Sequence, residues 1–255
     1  MQVRILGCSG GIGAGLKTTS ILLDDDVLID AGTGVGDLSL EELRRLRHVF
    51  LTHSHLDHVV GLPLFIDAAF EAYLENPLQV HGSDDTIKAL QTHLFNDVMW
   101  PDFSVLPNAE EAVMRFSPLS AGDVLDLGSR KMTAVEVKHS VPTLGFCVEA
   151  EGKVLAFSAD TTNNQTLWPV LNGYKNIDVL VIEVSFPNRQ AELAQKSGHY
   201  CPRTFAQDLA KLEHNPAIWL TAMKPGEEEL IMEEVRAELP DRHVSRLESG
   251  VVFYL

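Results

Sequence analysis

Three histidines and an aspartate crowd into the six residues His53-Ser54-His55-Leu56-Asp57-His58, directly after the apolar run Val49–Thr52. No other segment restricts the possible folds so strongly. Imidazole and carboxylate are borderline-to-hard ligands that suit zinc, iron or manganese. Where a strand ends, side chains two apart point the same way, so His53 and His55 can converge on one ion. A turn into a helix then carries Asp57 and His58 round to a second ion. The competing reading is an accidental polar turn. With 10 histidines in 255 residues, a chance match at all four positions has a probability on the order of one in a thousand.

Strands recur along the rest of the chain. Val3 to Leu6 reads as a short buried strand, and Ser20–Leu23 with Val27–Ile29 as a hairpin around Asp24-Asp25-Asp26. Helical spacing marks Leu40–Arg47, Leu62–Leu74 and Thr86–Leu94. Strands are expected near Ala112–Phe116, Val124–Leu127, Lys131–Lys138, Gly145–Glu149 and Val154–Ser158. The last third alternates: strand Val179–Glu183, helix Arg203–Leu212, strand Ile218–Thr221, helix Glu227–Leu239, strand Gly250–Tyr254. Sheets covered by helices on their outer faces satisfy this order. No repeat or linker divides the chain, so one domain over 1–255 is expected. The glycine-rich loop Gly10-Gly11-Ile12-Gly13-Ala14-Gly15 is no dinucleotide fingerprint, because a strand rather than a helix follows it.

Charge narrows the partners. Twenty basic residues against 36 acidic ones leave a net charge of −16, which repels long RNA or DNA. A small anionic substrate remains compatible, because metal ions dominate the field inside a pocket. Cys8, Cys147 and Cys201 are scattered without CxxC spacing, so neither a disulfide framework nor a thiolate zinc site is expected. The first residues lack the apolar core of a signal peptide, and no apolar run approaches the roughly 20 residues of a membrane span. A cytoplasmic protein without membrane contact is the expectation.

The HxHxDH pattern at His53–His58 resembles the signature of the metallo-β-lactamase superfamily, and the resemblance extends over nearly the whole chain. It implies an α+β fold, a four-layer αβ/βα sandwich with metals at one sheet edge. Val27-Leu28-Ile29-Asp30-Ala31-Gly32 resembles the first motif, whose acid supports the metal site from behind; Asp30 ends an apolar strand, where it could orient the histidines. Lys138-His139-Ser140 resembles the third motif and implies His139 as the remaining ligand of the first metal. Phe157-Ser158-Ala159-Asp160-Thr161 resembles the fourth, implying that Asp160 bridges both ions. The resemblance thus implies two divalent ions, zinc foremost with iron or manganese as alternatives. Departing from the fifth motif, Trp219-Leu220-Thr221-Ala222-Met223-Lys224-Pro225 has Ala222 where the family places a ligating histidine. The second ion would keep only Asp57, His58 and Asp160, and bind more weakly. Glu183, at a strand end, either compensates or is a structural carboxylate.

Glu183-Val184-Ser185-Phe186-Pro187-Asn188, Ser197-Gly198-His199-Tyr200-Cys201-Pro202 and Met223-Lys224-Pro225 look like class II cyclic-nucleotide phosphodiesterases and their transfer-RNA-processing relatives. That likeness implies a hydrolase using a metal-bridging hydroxide, with Asp57 orienting the nucleophile and His199 contacting phosphate or protonating the leaving alkoxide. Otherwise His199 caps a helix beginning near Pro202. Lys224 either steadies a phosphate or is an exposed turn lysine. The aromatics of Phe95–Phe103 either wall the pocket or pin a loop to the core. No basic, glycine-rich arm for transfer RNA is evident, so a small cyclic nucleotide or other phosphodiester fits best. A di-iron oxygen-binding or sensing protein is the alternative on the same ligands. Phosphodiesterase-like relatives also make a homodimer an expectation.

Overall fold

Apolar alternation along the first strands settles the layering in the computed structural model, which describes residues 1–255. In Ser20–Leu23, Ile21 and Leu23 face a core between two sheets, while Leu22 faces a second core beneath helices. Val27 and Ile29 repeat the inward orientation, and Leu28 the outward one. A period of two on a strand with both faces covered requires apolar residues at every position.

The first half of the chain supplies β1 (Gln2–Gly7), β2 (Ser20–Leu23), β3 (Val27–Ile29), α1 (Leu40–Arg45) and β4 (His48–Phe50). There follow α2 (Leu56–Val59), α3 (Gly61–Ala68), α4 (Phe70–Glu75), β5 (Leu78–Gly82), α5 (Asp84–His93) and β6 (Met114–Pro118). The second half comprises β7 (Val124–Asp126), β8 (Arg130–Val137), β9 (Thr143–Ala150), β10 (Lys153–Phe157), α6 (Leu167–Asn172) and β11 (Val179–Glu183). It continues through α7 (Ala191–Ser197), α8 (Pro202–Leu209), β12 (Ala217–Thr221), α9 (Glu228–Glu238) and β13 (Val244–Arg246), and closes with β14 (Val252–Tyr254).

These strands form two seven-stranded sheets, ordered β14-β1-β2-β3-β4-β5-β6 and β13-β12-β11-β10-β9-β8-β7. Phe50, Phe146, Phe157 and Leu155 fill the space between them, and each outer face buries a further apolar core under its helices. The result is the expected four-layer αβ/βα sandwich. Arg130 ties the sheets together: its guanidinium meets Asp24 at 3.1 Å and Asp26 at 2.8 Å across the β2–β3 turn. Within each sheet one run is parallel, β3 to β6 and β10 to β13, so the carboxyl ends of these strands share a rim. No helix is long and apolar enough to cross a membrane.

Several expected elements differ in detail. The Leu62–Leu74 helix breaks at Ala69, whose φ of −108° and ψ of 15° leave helical geometry. Strands β5 and β13 and helices α6 and α7 lie in segments where the sequence reading expects no element. β5 and β13 are short parallel strands, and little but pairing with neighbours distinguishes such strands. The last strand starts at Val252 rather than Gly250, because Gly250 takes a φ of +91° in the turn.

Candidate metal centre

The shared rim gathers polar residues from distant parts of the chain. Leu51 and Thr52 extend β4 to His53, and His55 is the N-cap of α2, which begins one residue before Asp57 and His58. His139 lies two residues beyond β8, Asp160 three beyond β10, and Glu183 is the last residue of β11. Three non-glycine residues at these strand ends have left-handed backbone: Asp30 at φ +56°, Ala159 at +55° and Ala222 at +59°. Each such conformation costs about 1–3 kcal/mol, and it persists where the surrounding structure holds it. Two glycines permit close approach. A Cβ on Gly32 would meet the Asp57 carbonyl at 2.4 Å, and one on Gly198, itself at φ +76°, would meet the His139 backbone at 3.0 Å.

Hydrogen bonds assign the imidazole tautomers. His139 Nδ1 donates to the Gly198 carbonyl at 2.8 Å, leaving Nε2 with a lone pair. His58 Nδ1 donates to Asp30 Oδ2 at 2.6 Å. Thr52 Oγ1 donates to the same Asp30 oxygen at 2.9 Å and accepts from His53 Nδ1 at 2.9 Å. Asp30, fully buried, also accepts the Thr52 backbone N–H at 2.8 Å. One carboxylate therefore orients two histidines, one directly and one through a hydroxyl. Thr52 is a residue the sequence reading missed; its signal is a hydroxyl adjoining the first histidine.

The bare nitrogens converge. His53 Nε2 and His139 Nε2 lie 3.0 and 3.2 Å from His55 Nδ1. Nitrogens about 2.05 Å from a tetrahedral zinc lie about 3.3 Å apart, so this spacing fits one cation. Asp160 Oδ2 is 4.0 Å from His53 Nε2 and 3.4 Å from His58 Nε2, between the two sets. Three groups of side chains have donor atoms close enough to share an ion: His53, His55 and His139; His53, His58 and Asp160; and His139, Asp160 and His199. Asp57 belongs to none of these; its Oδ2 stands 4.0 Å from His58 Nε2 with 40% of the side chain exposed.

The electrostatics suit cations. Burial first, and neighbouring imidazoles second, hold His53 and His55 below the ordinary histidine range; burial does the same for His139. All three are thus neutral and ligand-competent. Burial opposes charge on His58, but Asp160 and Asp30 outweigh it and raise His58 well above that range. Burial likewise opposes the Asp160 carboxylate, yet His58 and His53 hold it well below the ordinary range. A cation between them would take the place of the His58 proton.

Glu183 serves another partner. Its Oε1 accepts from His199 Nδ1 at 2.8 Å and from the Thr161 N–H at 3.0 Å; Oε2 accepts from Ser185 Oγ at 3.0 Å. Both its oxygens are thus engaged by protein donors, which favours the structural of the two expectations above. His199 caps no helix, since Cys201 is the N-cap of α8. Its ring stands 4.8 Å from that of His139, with Phe186 at 5.6 Å on another side. Lys224 Nζ donates to the Gly10 carbonyl at 2.9 Å, pinning the glycine loop, and lies over the Phe186 ring. Phe95 and Phe103 are buried in the core beneath the first sheet's helices, with Trp100 against them, so the aromatics pin their loop. An open groove of about 760 Å³, lined by His139, Ser140, Asn163 and Gln165 among others, runs beside the cluster.

A four-layer sandwich with imidazoles and carboxylates gathered at the strand ends defines a class of metal-binding proteins. Residues 25–220 match the family described as "Beta-lactamase superfamily domain", and the chain belongs to this metallo-β-lactamase superfamily, which includes phosphodiesterases and ribonucleases. It is 29% identical to ribonuclease BN of Salmonella typhi over 170 residues, 62% of this chain and 53% of the relative. The chain thus matches about half the length of such curated relatives. Among solved structures, unliganded yeast PDE1 superposes with a TM-score of 0.83 at 17% identity, covering 100% of this chain and 99% of that one. The metallo-beta-lactamase fold protein YhfI from Bacillus subtilis gives 0.78 at 19% identity, covering 99% and 98%. At these identities the likeness is one of fold.

Proposed function

We propose that this protein is a metal-dependent phosphodiesterase for a small cyclic nucleotide or similar phosphodiester. The observation that carries this reading is the His199–Glu183 pair. It places a hydrogen-bonded imidazole against His139 and Asp160, beside the residues able to hold cations. Phosphodiester cleavage creates an alkoxide that needs a proton, and a positioned histidine supplies one. Glu183 and Asp160 outweigh burial and raise His199 above the ordinary imidazole range, so its protonated form is favoured. His53, His55, His139 and Asp160 would hold one cation, and His58, Asp57 and Asp160 a second. The ions would supply Lewis acidity and an acidified water. Asp57, whose side chain is 40% exposed beside His58, would accept a hydrogen bond from that water and orient it. His199 delivers its proton to the departing oxygen. Similarity to ribonuclease BN and to yeast PDE1 supports the substrate class, and the charge of −16 favours small substrates over long nucleic acid.

A leaving-group comparison tests the assignment. His199→Ala should cut turnover of a cyclic nucleotide about 100-fold or more, while a bis-nitrophenyl phosphodiester, whose leaving group needs no proton, loses far less. Equal losses on both would remove His199 as the acid. Absence of turnover on any phosphodiester with zinc or manganese, together with a visible charge-transfer band on loading with iron, would reject the reading altogether.

A further inference from the structure

Beneath the rim, one buried carboxylate joins two segments of the proposed site. Asp208 lies on α8 and is 2% exposed. Its Oδ2 accepts from the Trp168 indole N–H at 2.9 Å, the Asn164 backbone N–H at 3.0 Å and the Tyr200 hydroxyl. Its Oδ1 pairs with Lys211, whose Nζ also donates to the Asn164 carbonyl at 3.0 Å. Burial opposes this charge, but Lys211 and the donors on Tyr200, Trp168 and Asn164 outweigh it and hold the carboxyl below its ordinary range. Tyr200, itself fully buried, stays a donor, because burial and Asp208 push its phenol far up.

Two of these partners lead into the rim. Tyr200 adjoins His199, and its carbonyl accepts from the Ser185 and Phe186 N–H groups at 3.2 and 3.3 Å, which seats the His199 turn just beyond β11. Asn164 leads to Asp160. Its side-chain amide donates to the Thr162 carbonyl at 3.1 Å and to Thr161 Oγ1 at 3.3 Å. The Thr162 N–H in turn donates to the carbonyl of Lys138, next to His139, at 2.9 Å. The third partner, Trp168, leads only into α6 and the core beneath the second sheet. Removing one donor from a buried carboxylate frees the segment that carried it, and the rest of such a network weakens less.

We propose that Asp208 is a positioning residue for phosphodiester cleavage: through Tyr200 it sets His199, and through Asn164 it sets the turn that carries Asp160. Proton donor and cation-facing carboxylate then keep one spacing because a single buried charge holds both segments. This rests on the reading of His199 as the acid. Donor atoms of His139, Asp160 and His199 lie within 4.8 Å of one another, so small shifts matter. A misplacement of about 1 Å from a distant substitution can cost about 100-fold in rate.

The test measures kcat and KM for a cyclic nucleotide and for the bis-nitrophenyl phosphodiester on the metal-loaded full chain. Tyr200→Phe keeps the ring and removes only the hydroxyl. It should lower kcat on the cyclic nucleotide about tenfold with KM unchanged, and leave the nitrophenyl substrate within about twofold. Trp168→Phe removes a donor to the same oxygen, yet should leave the ratio of the two activities unaltered. In a His199→Ala background Tyr200→Phe should cost nothing further, because its effect passes through that imidazole. Asp208→Asn releases both segments, so it should slow both substrates and weaken zinc affinity about tenfold, whereas Tyr200→Phe leaves zinc affinity unchanged. If Asp208→Asn does not fold, the two aromatic variants decide. Equal losses on both substrates in Tyr200→Phe, the same change of ratio in Trp168→Phe, an additive loss in the double variant, or unchanged zinc affinity in a folded Asp208→Asn would overturn the proposal. Each would leave the phosphodiesterase reading in place. If His199→Ala itself slows both substrates equally, the acid assignment falls and this proposal with it.

Discussion

Two groups of close histidines draw on β4 of the first sheet, one of them joined by His139 from beyond β8 of the second, and they share little beyond proximity. At the rim, His53 and His139 approach His55 at 3.0 and 3.2 Å; on the inner face, His48 Nδ1 lies 3.0 Å from His81 Nε2. The inner pair is part of an aromatic stack, with His81 on Phe50 at 4.4 Å and 16° between the rings. His81 Nδ1 is buried without a partner, and nearby Asp26 pairs with Arg130. At the rim, by contrast, His53, His58 and His139 each have one nitrogen held by an oxygen, and the carboxylate of Asp160 enters among the free nitrogens. A strand face admits only alternate residues and holds them parallel. Strand ends let the chain turn, so donors from several elements aim at one point. Two neighbouring imidazoles thus make a hydrogen bond in one place and part of a group able to hold a cation in the other.

The largest expected effect separates the two groups outright. His55→Ala or Asp160→Ala should reduce retained zinc from one per chain to nearly none, whereas His81→Phe should leave it at one. Elemental analysis after desalting reads this directly, and equal zinc contents in all three variants would erase the distinction.

Asp30→Asn asks how much of the rim depends on its buried support. The amide cannot accept equally from His58 and Thr52, and a buried polar group is left poorly matched. A loss of about 3 kcal/mol in urea unfolding is expected, together with zinc affinity weaker by about 10- to 100-fold.

The inner pair should reveal itself through pH. Burial, with His48 beside it, brings His81 down to about 4 from the ordinary 6.5, so the unfolded chain binds a proton that the folded chain excludes. Its contribution is whole above about pH 6.5 and declines as the pH falls toward 4. Between pH 7.5 and 5 this amounts to about 2 kcal/mol. Comparing zinc-loaded protein with His81→Phe isolates it from the rim histidines; identical slopes of stability against pH would show that His81 is not the group responsible.

The His53–His58 turn was legible because its chemistry is local: ligand spacing and the strand before it are adjacent in the chain. Asp30, His139 and Asp160 were recovered at strand ends because resemblance supplied their motifs and each follows an apolar run. The engagement of Glu183 with His199 was not readable, since those residues are 16 apart and meet only because α7 returns the chain over β11. Nor was the pairing of His48 with His81, which depends on β4 and β5 lying side by side.

The amino-acid order by itself determined the alternation that builds two sheets and the crowding of imidazole and carboxylate at His53–His58. Tertiary structure decided which nitrogens stay free, which carboxylate faces them and which supports a histidine. The physical reason is range: periodicity and turn chemistry act between neighbours, whereas tautomer, burial and coordination depend on oxygen and nitrogen atoms that only strand order brings within about 3 Å.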